Sequence, residues 1–145
     1  MTATINYKTA ENYYTSMCKD IAAEKRRMGG DFVVAHAVPT RAFRDHIREQ
    51  LGPDLIFVVL NMEKEDARKR IMARHGEGAE SFNDLLIKLY DLYEPAFDDE
   101  PNSININVTS DMSREEVVQK YSKCFQNDSS LVHFLHSYIQ TVIHI

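Results

Sequence analysis

Tryptophan is absent from this 145-residue chain, and cysteine, proline and glycine are scarce at 2, 4 and 5 copies. The cysteines, Cys18 and Cys124, stand far apart with no CxxC or Cys/His ligand spacing, so neither a disulfide framework nor a zinc ribbon is indicated. Few Gly and Pro beside 43% apolar and 27% charged residues exclude a collagen-like, low-complexity or disordered chain. Positive charge is also short, with 17 Lys and Arg against 22 Asp and Glu, so the surface as a whole does not attract nucleic acid or anionic membrane. Any anion site must be local. The opening MTATINYKTAEN lacks the basic-then-apolar layout of a secretory leader, which makes a reducing cytoplasmic setting the expectation. The most apolar stretch, LVHFLHSYIQTVIHI at 131–145, is too short to span a bilayer. What remains is a soluble globular chain with one core, since domains usually run to roughly 100 to 200 residues.

The pattern along the chain alternates helix and strand. Thr9 is placed to cap a helix over 10–28, in which Ala10, Tyr13, Tyr14, Met17, Cys18, Ile21 and Ala22 form one stripe and Gly29-Gly30 stop it. DFVVAHA at 31–37 is a continuous apolar run of the kind buried on both faces of a parallel sheet. Thr40 caps a second helix through Gln50, ended by Gly52-Pro53, and LIFVVLN at 55–61 is the strongest strand signal. EKEDARKRIMARHG forms a helix ending at Gly76. Ser81 and Asp84 resemble a capping box for a helix with Phe82, Leu85, Leu86, Leu89 and Tyr93 on one face, terminated by Pro95. SININVT at 103–109 alternates as an edge strand does, and Ser113 with Glu116 makes a full capping box for the helix after it. The core is expected over 9–126, with 127–145 as an apolar helical tail that docks on the domain or on a partner chain. Three rounds of alternation predict an α/β fold on a parallel sheet.

Two sets of arginines stand out. Arg70 and Arg74, four apart on the third helix, present two planar guanidinium groups on one face, suited to adjacent phosphates; the alternative is a solvated face paired with Glu63, Glu65 and Asp66. Arg41, Arg44 and Arg48 lie on the helix after the first strand, where Arg41 and Arg44 would join the helix amides in holding an anionic substrate; Asp45 and Glu49 offer internal pairing instead. His36 reads as a satisfied core residue and His46 as solvent-facing.

DFVVAHAVPTRAFRDHIREQLGPDLIFVVL resembles a gap-free stretch of gluconate kinases, EDARKRIMARHG is similar to their lid helix, and LLIKLYDLYEP and the strand before SDMSREEVVQK resemble their closing elements. Together they cover about residues 10 to 126 and point to the small P-loop kinases of the gluconate, shikimate and adenylate kinase type. The resemblance implies a three-layer parallel sheet with helices on both faces, and an ATP- and Mg²⁺-dependent kinase acting on a small molecule or nucleotide. It places Arg70 and Arg74 near the phosphates, Thr109, Ser110 and Asp111 near the adenine, and Arg41 and Arg44 toward the acceptor. Pro39-Thr40 stand where the family has Leu-Lys, and GxxxxGK(S/T), whose amides cradle phosphates, occurs nowhere in the sequence. The chain thus looks like the carboxyl two-thirds of such a kinase, lacking the central first strand between 31–37 and 55–61. Catalysis is then expected to be weak or absent. Residues 2–8 would stand in as that strand, or the open edges would pair with each other or with a second copy. The alternative is a non-catalytic interaction scaffold with the tail as partner surface.

Overall fold

The computed structural model describes residues 6–30, 33–75, 84 and 90–121, with the side chains of Arg74, His75 and Arg114 outside the description. Within them the chain is mixed α/β: four helices and a parallel pair of strands. The expected helix at 82–93 lies largely, and the tail at 127–145 wholly, outside the described residues.

Helix α1 spans Tyr7–Met28. It starts earlier than the sequence pattern suggests, because Asn6 and not Thr9 is the cap: Asn6 Oδ1 accepts from the Thr9 amide at 3.2 Å. Gly29 closes it in the left-handed conformation at φ 69°, its amide donating to Lys25 O at 3.0 Å. Of the stretch 2–8 expected to stand in as a strand, Tyr7 and Lys8 belong instead to the first helical turn, and 2–5 lie outside the described residues.

Residues 33–39 form neither strand nor helix, so the strand expected at 31–37 is not observed over its described part, 33–37. A ladder needs a neighbour, and among the described residues this segment has none. It is held instead by α1, whose Tyr14 hydroxyl donates to Ala37 O at 2.7 Å while Tyr13 meets His36 Nε2 at 2.9 Å. Val34 is left 44% exposed, the reverse of the two-sided burial that its apolar run suggests. His36 is exposed rather than core, and His46 is half-buried against Thr15 Oγ1 at 2.8 Å.

Helix α2, Arg41–Leu51, begins at Thr40 as expected, with Thr40 Oγ1 accepting from the Phe43 amide. It packs on α1 through Tyr14, Cys18, Phe43 and Ile47, and this cluster reaches the sheet through Leu55 and Phe57. Strand β1 is Phe57–Asn61, α3 is Lys64–His75, and β2 is Ser103–Asn107. The strands pair in parallel, from Phe57 opposite Ser103 to Asn61 opposite Asn107. Helix α4, Arg114–Tyr121, carries the capping box as read: the Glu116 amide donates to Ser113 Oγ at 3.2 Å and the Ser113 amide to Glu116 Oε2 at 2.6 Å.

The two-residue period of the strands separates the core into layers. Even positions Val58, Leu60, Ile104 and Ile106 face α4 and bury Val117 and Val118. On the other face Phe57 meets the α1–α2 cluster. Arg48, in the last turn of α2, lies over the Phe57 ring at 4.7 Å and donates to Ser103 Oγ at 2.6 Å, touching the first residue of each strand. At the opposite end the strands finish at Asn61 and Asn107. That end is where open α/β sheets bind their ligands.

Candidate functional site

The site forms where β2 runs out. After Asn107 the chain turns through Thr109, Ser110 and Asp111, and α3, which leaves the carboxyl end of β1, lies beside that turn. Arg70 reaches across from α3, its Nη2 donating to Thr109 O at 2.8 Å and lying 3.3 Å from Ser110 O. One turn earlier on the same helix, Asp66 accepts from Ser110 Oγ at 2.9 Å and from its amide at 3.3 Å. Thr109 Oγ1 donates to Asp111 Oδ1. Residues some 40 positions apart in the chain are thus fastened by two side chains four apart on α3, the spacing that puts both on one face.

The electrostatics follow from these bonds. The Ser110 hydroxyl and amide hold the Asp66 carboxyl below the usual carboxylate range, with Lys69 adding to the effect. Asp111 is lowered by the Thr109 hydroxyl and its own backbone. A carboxylate with a depressed pKa is a weak base, so Asp66 orients Ser110 rather than activating it as a nucleophile. Thr109 and Asp111 are exposed in this cluster and Ser110 is half-buried. Among the described residues no group of three or more His, Cys, Asp or Glu is placed to hold a metal ion.

Arg74 sits on the last turn of α3, one turn beyond Arg70. The second arginine set is arranged differently. Arg44 is 1% exposed and clamps Glu100 through Nε at 2.6 Å and Nη2 at 2.9 Å, with its other donors on Glu94 O and Pro95 O at 3.1 Å. It has no surface on which to meet a substrate. Arg48 shares the same carboxylate at 2.8 Å. Burial alone would raise Glu100, but Arg44, Arg48 and the Phe97 amide hold it at about 2. Arg41 is half-buried over Phe97 and pairs with Asp99 at 2.7 Å and Asp45 at 3.3 Å. Its amide donates to Glu94 Oε2 at 2.8 Å, so the protein's own carboxylate takes the helix N-terminus that an anionic substrate was expected to use.

Glu94, Glu100 and Asp66 supply carboxylates that the sequence pattern does not mark as site residues, Asp66 standing there only as a pairing partner for the α3 arginines. The signal for Glu100 was present: Arg41, Arg44 and Arg48 recur at helical spacing, and the one acidic cluster between the later elements is Asp98-Asp99-Glu100. Asp66 was visible as the residue four before Arg70.

No family model, curated protein or solved structure matches this chain.

Proposed function

We propose that the chain is a P-loop-kinase-like α/β domain that binds an adenine nucleotide against Arg70 and the Thr109–Asp111 turn, without transferring phosphate by its own residues. The observation that supports this reading is the contact between Arg70 and Thr109-Ser110: the resemblance assigns the two stretches to one nucleotide, and they meet at the carboxyl ends of two adjacent parallel strands. Arg74 would add its charge one turn further on. The sequence supplies no glycine loop with its lysine, and phosphoryl transfer depends almost wholly on such positioning and charge stabilisation. Mg²⁺ would come with the nucleotide, held largely by its phosphates, and no step is assigned through the metal.

A second reading, an interaction scaffold on the same fold, is favoured by the way Arg41 and Arg44 are satisfied by Asp45, Asp99, Glu94 and Glu100. Titration calorimetry with ATP and Mg²⁺ separates the two. Nucleotide binding predicts a saturable heat that Arg70→Ala diminishes, with ADP retaining most of it; the scaffold reading predicts no heat from either nucleotide.

A further inference from the structure

Among the described residues the parallel pair has two outer edges, and the backbone bonds show which groups lie on them. Phe57 N donates to Asn102 O at 2.9 Å and Val108 N to Asn61 O at 2.8 Å, so the odd residues of β1 and the even residues of β2 face each other. Val58 and Leu60 on β1, and Ser103, Asn105 and Asn107 on β2, therefore turn their amides and carbonyls outward. Edges of this kind invite strand addition, and proteins usually blunt them with charged residues, proline or a bulge. Neither strand has such a device: FVVLN and SININ contain no charge and no proline, and their register is unbroken.

Both edges nonetheless carry a tyrosine hydroxyl at the carboxyl end. Tyr93 Oη donates to Leu60 O at 2.7 Å and lies 2.8 Å from Asn61 Oδ1. Tyr121, the last residue of α4, accepts from Asn107 N at 2.8 Å and donates back to Asn107 O at 3.1 Å, occupying both outward groups of that residue. Tyr93 is half-buried, and Tyr121 packs against the Ile106–Val117 cluster, so each hydroxyl is presented by a ring seated in the fold. We propose that Tyr93 and Tyr121 plug the two outer edges of the β1–β2 pair and so hold back strand addition by a second copy of this chain. An incoming strand would have to displace each hydroxyl before its own amide or carbonyl reached Leu60 or Asn107.

Phenylalanine is the discriminating substitution, since it keeps the ring and removes the plug. Sedimentation of Tyr93→Phe/Tyr121→Phe across a concentration series is expected to show self-association at least about tenfold tighter than wild type, as the loss of roughly 1 kcal/mol of competing hydrogen bond per edge implies. Asn6→Ala, which weakens the fold by removing the α1 cap and bonds neither strand, is expected to leave association at the wild-type level. In the unaltered protein, hydrogen exchange should find the Asn107 amide protected, with faster exchange in Tyr121→Phe. The proposal is overturned if the double variant associates no more tightly than wild type, if Asn6→Ala associates as tightly as the double variant, or if Asn107 in the wild type exchanges like an open amide.

Discussion

Replacing Glu100 by Gln removes one charge from the interior while keeping the side chain's shape. Its carboxylate is fully buried between Arg44, itself 1% exposed, and Arg48, 12% exposed. Deleting the anion strands the Arg44 guanidinium without its counter-charge, a change that typically costs about 3 to 5 kcal/mol. The titration of Glu100 gives an independent figure. A carboxyl that falls from 4.5 to about 2 on folding contributes roughly 3 kcal/mol at neutral pH. Since the folded value is the depressed one, this stability is complete above 4.5 and drains away as pH falls toward about 2. By pH 3, roughly 2 kcal/mol of it has gone. Urea denaturation of wild type and Glu100→Gln should thus show a gap of about 3 kcal/mol at pH 7 that narrows to about 1 kcal/mol at pH 3. An unchanged midpoint at pH 7, or a gap of the same size at both pH values, would refute the reasoning.

Other outcomes follow from the same structure. Ser113→Ala removes the oxygen that accepts the Glu116 amide and should cost about 1 kcal/mol in thermal or urea unfolding, while Ser113→Thr should retain most of the stability. Ser110→Ala deletes the first of the bonds that hold Asp66 down, so the Asp66 carboxyl should titrate at higher pH by carbon-detected NMR, its lowered range lost in part. Arg70→Ala should diminish the heat of ATP binding in calorimetry, as set out above.

The sequence was most legible where a short-range rule and the tertiary structure agree. Thr40 and the Ser113–Glu116 box mark α2 and α4 because a cap is satisfied within three residues, with no help from the rest of the fold. Ile104, Ile106 and Val108 alternate because one face of β2 is buried against α4. The run at 31–37 misleads for the opposite reason: apolar β-branched residues show that a segment is fit to be a strand, but only a neighbour makes it one. Asn6 caps α1 ahead of Thr9, in line with the stronger N-cap preference of Asn over Thr. In the sequence Arg44 looks like a ligand group because its partner lies 56 residues away, and no local pattern ties it to Glu100. Arg70 beside Thr109 and Ser110 was legible only through the resemblance, which brought together stretches that periodicity treats separately.

The central claim is that a nucleotide meets α3 and the turn after β2. An amide NMR titration with ATP reads it at Thr109, Ser110 and Asp111 and at the Arg70 side chain. The account predicts saturable shifts at these four residues, attenuated in Arg70→Ala; shifts absent there at ligand saturation, or confined to α1 and α2, would contradict it.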